Sequence, residues 1–263
     1  MKKYLAILRN KKQLFDNFDK LENYYGVDPY VVEKNDWSRF NNIYGEKSSQ
    51  IILQSGLPVN GNIMLKSYIA TQQPISSSES TTSTIEDFWQ MIWDYDVKYI
   101  VNLNDKNHNA NYFLSNQLEV NNLIVTMILI NPESKLGISF RFVTIKNKSD
   151  NQMKTAIHIF YPKWKDYGVP SDAKEFMELI KYVVNARKHD EKMLIHCRAG
   201  VGRTGTFILI DYIMNSIPKG IYPDIIDTIK EMRTQRCAMI QNKQQLEFGI
   251  TIIEELLKEN LDH

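Results

Sequence analysis

The chain has 263 residues, 43% of them apolar and 24% charged, enough to bury a sizeable core. Lys+Arg 32 against Asp+Glu 31 leaves a net charge of +1, so composition gives no bias toward nucleic acid or any other polyanion. Two cysteines, Cys197 and Cys237, are too few for a disulfide framework and point to a reducing, cytoplasmic setting. The opening MKKYLAIL lacks the features of a secretion signal, and no apolar run is long enough to span a membrane.

In chain order, Leu14, Phe15, Phe18 and Leu21 recur at helical spacing and predict a helix over 11–25. Residues 63–73 read as a strand, and the Ser/Thr-rich stretch 76–83 as a surface loop. Ser83 with Glu86 predicts a capping box for a helix over 84–95, with Ile85, Phe88, Trp89 and Ile92 on its buried face. Strands are expected over 98–103, 123–130, 138–145 and 154–161. His158 falls inside the last of these and reads as a core histidine; His108, His189 and His263 read as surface residues. Ser171 is expected to cap a helix over 172–187. A helix over 222–236 would carry Pro223 in its first turn, and a last amphipathic helix would end the chain, with Asn242 and Gln245 spaced like an N-cap pair. No cluster of His, Cys, Asp and Glu has metal-ligand spacing, so neither metal nor cofactor is expected.

The stretch KMLIHCRAGVGRTGTF, residues 192–207, carries the chemistry. Met193, Leu194 and Ile195 read as a buried strand that delivers His196 and Cys197 into a glycine loop, followed by a helix from Thr204. A strand, glycine loop and helix N-terminus form an anion cradle of inward amides. A thiol facing such a cradle and a guanidinium should ionise at neutral pH. Arg203, six residues after the cysteine, can offer a planar fork to two phosphate oxygens. Thiolate, cradle and fork together point to covalent phosphoryl transfer.

His196 to Gly205, HCRAGVGRTG, resembles the signature H-C-x-x-G-x-x-R-[ST]-G of the cysteine-dependent protein-tyrosine phosphatases, with every fixed position filled. The resemblance runs from Trp37 to Leu257 and implies an α/β fold, a twisted mixed β-sheet flanked by α-helices. It implies one catalytic domain over 1–263, with a core about 37–257 and an N-terminal helical segment 1–36. Cys197 would be the nucleophile, held by His196. Arg203, with the loop Arg198, Ala199, Gly200, Val201 and Gly202, would bind phosphate, and Thr204 would stabilise the leaving thiolate. The segment WSRFNNI, residues 37–43, is similar to the family's phosphotyrosine-pocket loop. Phe40 would stack on the substrate ring and Asn42 would hold the peptide backbone, although the family has tyrosine and aspartate there. IMLKSYIATQQP resembles the family's Y-I-A-T-Q-G-P, with Gln73 replacing glycine, and DFWQMIW resembles its DFWxMxW helix.

YPKWKDYGVP, residues 161–170, resembles the mobile acid loop Y-x-x-W-P-D-x-G-V-P, which makes Asp166 the expected general acid. Lys165 replaces its proline, which should loosen the loop. It also adds a positive charge beside the acid, and an opposite charge favours an ionised carboxylate. Lower turnover or a more acidic optimum than the family norm is expected; an unchanged pH–rate profile on restoring proline would count against this. MRTQR, residues 232–236, is similar to the family's M-R-x-x-R, with both arginines expected to brace the signature loop. In MIQNKQQ, residues 239–245, Gln241 would position the second-step water with Gln245 behind it. The function implied is hydrolysis of phosphotyrosine in proteins by a monomer acting on neither nucleic acid nor membrane. The alternatives are a phosphotyrosine-binding pseudophosphatase and a dual-specificity or RNA 5′-phosphatase.

Overall fold

The computed structural model describes residues 1–21, 37–80, 82–105, 111–113, 115–131, 137–188 and 191–262. The expected surface histidines His108, His189 and His263 lie outside them, as does the end of the helix expected over 11–25. Nine strands form one mixed sheet: β1 Gln50–Ile52, β2 Pro58–Met64, β3 Tyr68–Thr71, β4 Val97–Asn102, β5 Gln117–Val120, β6 Leu123–Asn131, β7 Ser139–Asn147, β8 Met153–Phe160 and β9 Lys192–His196. The spatial order is β1-β2-β3-β9-β4-β8-β7-β6-β5. The four central strands, β3, β9, β4 and β8, run parallel, and antiparallel pairs extend the sheet on both sides. Central parallel strands are covered on both faces, which is why Met193, Leu194 and Ile195 form an unbroken apolar run with no exposed surface.

Among the described residues seven helices flank the sheet: α1 Lys2–Arg9, α2 Lys11–Asp19, α3 Ile85–Asp94, α4 Ala173–Ala186, α5 Gly202–Ser216, α6 Ile225–Gln235 and α7 Lys243–Asp262. One apolar cluster joins one sheet face to α4, α5, α6 and α7, with Phe176, Phe207, Ile229 and Ile253 buried in it. A second cluster packs α3 on the opposite face through Phe88, Trp89 and Ile92. The α/β class and twisted mixed sheet expected from the sequence are those observed. The central helix α5 is buried nearly all round, so it shows little amphipathic stripe.

Several local expectations are corrected. The strand expected over 63–73 is a hairpin, β2 and β3, turning through Leu65 and Lys66 at φ 45° and 70°. Neither residue is a turn former, so the apolar pattern hid the reversal. The helix expected over 11–25 begins at Lys11 as α2, but a separate helix, α1, precedes it across Asn10, and the edge strands β1 and β5 are too short to have left a pattern. The capping box at Ser83 does not form: Thr84 precedes α3 without a side-chain cap, and its Oγ1 accepts the Ile75 N–H at 2.8 Å. Pro223 lies outside α6, whose N-cap is Asp224. Asp172, not Ser171, caps α4, accepting the Glu175 N–H at 3.0 Å. Asp172→Ala should therefore lower unfolding stability by about 1 kcal/mol, whereas Ser171→Ala should be nearly neutral. Denaturant titration of the two variants checks the assignment.

Candidate active site

Three parallel strands end level with one another, pairing Thr71 of β3 and Asn102 of β4 with His196 of β9. The crevice beyond the carboxyl ends of such strands is where an open α/β sheet presents its ligands. The chain leaves β9 through Cys197 and turns through 198–201 into α5. Each loop carbonyl is held from outside the loop. Arg198 accepts the Gln73 N–H at 3.1 Å, Ala199 and Gly200 accept from Arg236 at 2.9 and 2.8 Å, and Val201 accepts the Gly205 N–H at 2.8 Å. With the carbonyls drawn outward, the amides are left on the inner side. Gly200 has φ 72°, and a Cβ there would stand 2.1 Å from the Thr71 carbonyl oxygen, so only glycine lets the loop pass so close to β3. A Cβ on Gly202 would likewise meet Gln241 Oε1 at 2.2 Å, which puts that side chain directly against the loop.

Cys197 is 3% exposed and Arg203 1% exposed. Burial alone would push the Cys197 thiol up. The Arg203 guanidinium, the Thr204 hydroxyl and the N–H groups of Thr204 and Val201 outweigh it, so its pKa lies below that of an ordinary cysteine. Cys237 is pushed the other way by burial. Arg203 Nη1 donates to the carbonyls of Leu103 at 3.1 Å and Trp164 at 2.9 Å. Its Nη2 meets Asp166 Oδ1 at 2.9 Å, and its buried Nε has no partner among the described residues. The edge formed by Nε and Nη2 is therefore the one free to grip an oxyanion, once Asp166 gives way. Asp166 is 31% exposed on the side chain. Lys165, expected to act on Asp166, is exposed and makes no ion pair with any described residue; the cation on Asp166 is Arg203.

His196 is fully buried. Burial first, then the Arg203 and Arg39 charges, push its pKa down to about 3, so it is neutral at working pH. Its ring hydrogen-bonds the Cys197 backbone and, through Nε2, the Tyr112 hydroxyl at 2.6 Å. It thus touches the backbone of Cys197 rather than its sulfur. Tyr112 also meets His158 Nε2 at 3.0 Å, so the core histidine stands behind the site, with its Nδ1 lacking a partner among the described residues. Sequence reading missed Tyr112, because nothing in NANYF marks it before β8 and β9 bring their two imidazoles to its hydroxyl.

The other site residues gather at the rim. Gln245 is buried, and its Oε1 accepts the Gln241 N–H at 3.0 Å, while its own N–H goes to Asn242 Oδ1 at 2.9 Å, the expected cap of α7. The segment carrying Phe40 docks through Gln72, whose Oε1 accepts the Arg39 N–H at 2.8 Å, and through Arg39 itself, which donates to the Gln73 and Pro74 carbonyls at 2.7 Å each. Phe40 is half-buried there. Asn42 is exposed and lines a cavity of about 530 Å³ with Gln241, Arg233 and Ala238. Gln73 is buried and serves the signature loop through its backbone, so the lost glycine leaves that docking intact. Of the two arginines expected to brace the signature loop, Arg236 does so. Arg233 instead holds the Met239 and Ile240 carbonyls, at 3.1 and 2.9 Å, just before Gln241. Among the described residues no group of His, Cys, Asp and Glu side chains could hold a metal ion, and no helix is long and apolar enough to cross a membrane.

A family model described as protein-tyrosine phosphatase matches residues 34–255. Relatives include the mouse tyrosine-protein phosphatase non-receptor type 20, 33% identical over 200 residues, with 73% of this chain and 45% of the relative covered. The rat receptor-type tyrosine-protein phosphatase N2 is 30% identical over 195 residues, covering 72% of this chain and 19% of the relative. The human receptor-type tyrosine-protein phosphatase alpha is 29% identical over 206 residues, covering 76% and 25%. This chain thus spans less than half the length of each of these relatives. The matched region holds both the cradle around Cys197 and the loop of Asp166, and the chain belongs to the protein-tyrosine phosphatase family.

Proposed function

We propose that this chain hydrolyses phosphotyrosine in proteins through a phosphocysteine intermediate. The observation that carries the reading is one buried arginine joined to both halves of the chemistry: Arg203 lowers the Cys197 pKa and holds Asp166 at 2.9 Å. An incoming phosphate dianion takes the Nε and Nη2 edge of Arg203 and the inward amides of 198–202. Asp166, displaced from Nη2, takes up a proton from solvent and turns to the ester oxygen. The Cys197 thiolate attacks phosphorus, the phosphorus–oxygen bond breaks, and the proton of Asp166 goes to the departing tyrosyl oxygen. In the second step, water beside Gln241 attacks phosphorus and gives its proton to Asp166. The sulfur–phosphorus bond then breaks to return the thiolate, which Thr204 stabilises. His196 and Gln245 hold the nucleophile and Gln241 in place.

Selectivity follows from depth. Phe40 walls the slot and Asn42 meets the peptide backbone, so a phosphoserine is too short to bring its phosphorus to Cys197. Two free, buried cysteines suit a reducing, cytoplasmic setting, and the chain is proposed to work as a monomer.

Hydrolysis of a phosphotyrosine peptide by the wild type, Cys197→Ser and Asp166→Ala tests the reading. Turnover should vanish in the first variant and fall by about 10²–10⁴-fold in the second. A wild type that binds the phosphopeptide without turning it over would replace the enzyme with a phosphotyrosine-binding module. The two cysteines supply an internal comparison. Alkylation follows the thiolate, so Cys197, with its lowered pKa, should react with iodoacetamide at a pH below the ordinary cysteine range. Cys237, with a raised one, should stay unmodified there. Peptide mass mapping across pH reads both, and the order should weaken in Arg203→Ala.

A further inference from the structure

We propose that Asn242 is a clasp that holds the acid loop over the site, a positioning role carried by the two ends of one side-chain amide. Its Oδ1 accepts the Gln245 N–H at 2.9 Å, capping α7, and its Nδ2 donates to the Tyr167 carbonyl at 3.0 Å, across 75 residues of chain. The two partners settle the amide's orientation, since an N–H needs an acceptor and a carbonyl needs a donor. Tyr167 follows Asp166 directly, so the clasped carbonyl is one residue from the acid.

The loop needs such a restraint. Tyr167 sits at φ 59°, in the left-handed region that tyrosine disfavours, and its side chain is 64% exposed, so packing does not hold it there. Two residues before it stands Lys165, where a proline would have narrowed the loop's choices. What pins the tip is hydrogen bonding: Gly168 N–H to the Lys165 carbonyl at 3.2 Å, Trp164 Nε1 to the Gly168 carbonyl at 2.7 Å, and Asn242 to Tyr167. The first two lie within the loop and move with it. The Asn242 bond and those from Arg203 tie it to the body of the protein, and the Asp166 bond to Arg203 must break when phosphate arrives. Asn242 keeps its hold through that exchange. Because Asn242 adjoins Gln241, the same clasp ties the acid loop to the loop proposed to place the second-step water.

The inference rests on Asp166 being the general acid, and the test separates the two claims. Purified full chains of wild type, Asn242→Asp, Asn242→Ser and Asp166→Asn are assayed on phenyl phosphate, whose leaving group needs a proton, and on 2,4-dinitrophenyl phosphate, whose leaving group does not. The readout is kcat/KM, which stops at thiol phosphorylation. Aspartate and serine both remain good N-caps, so melting temperatures should match the wild type. Neither can donate from that position as the amide does. Both variants should lose about tenfold on phenyl phosphate, the worth of one net hydrogen bond, and stay within about twofold on the dinitrophenyl ester. Equal losses on the two esters, or no loss on either, in folded Asn242 variants would overturn the clasp alone, provided that Asp166→Asn itself discriminates between the esters. If Asp166→Asn fails to discriminate, both the acid assignment and the clasp fall.

Discussion

The buried guanidinium of Arg203 is the constraint on which the rest of the site depends. A charge with 1% exposure must be met from every side. Two backbone carbonyls from different parts of the chain, Leu103 after β4 and Trp164 in the acid loop, take one nitrogen. Asp166 takes the second. The third has no partner among the described residues, while the charge of the whole guanidinium lowers the Cys197 pKa. Satisfying one cation therefore brings together the end of a central strand, the tip of the acid loop and the signature loop. The same demand makes the arrangement ready for exchange, because a phosphate dianion offers this fork a better match than a single carboxylate.

A second arginine works from behind. Arg236 is buried, and burial pushes its pKa down to about 10, yet it remains charged at neutral pH. It has no carboxylate partner among the described residues; Asn60, Asn62 and the carbonyls of Ala199 and Gly200 satisfy it instead, at 2.7–2.9 Å. Neutral acceptors leave its positive charge uncancelled, in electrostatic reach of Cys197. Asn60 and Asn62 lie in β2 and Arg236 ends α6, so the loop's shape is set by elements far from it in sequence. Tyr112, between the rings of His196 and His158, extends this buried polar layer under the strand ends. Such networks are costly when half satisfied and stiff when complete.

The departures from the family pattern fall mainly at the rim. Lys165, Phe40 and Asn42 are exposed or half-buried, and the buried Cys237 thiol reaches only the backbone carbonyl of Asn42, at 3.4 Å, which any residue would supply. Gln73 is the exception, buried but engaged through its backbone N–H, which any residue but proline could supply. The cradle tolerates none of this freedom: a Cβ at Gly200 or Gly202 would enter space already filled.

The strand–loop–helix of residues 192–207, its cysteine and its arginine are legible in the sequence, because local chain geometry alone turns that order of residues into a cradle. The parallel core strands, the helix faces and the acid loop's register are legible for a similar reason, since hydrophobic period and short motifs are local signals. The hairpin at Leu65 and Lys66 is not, as neither residue advertises a left-handed turn. Asp172 and Asp224 win their caps over Ser171 and the expected Pro223 start through backbone geometry that composition does not carry. Lys165 adjoins Asp166 in sequence, yet the cation that pairs with the carboxylate is Arg203, 37 residues away. Sequence by itself determined which groups can do the chemistry. Only the tertiary structure decided which of them meet, because burial obliges each polar group to find a partner wherever the fold supplies one.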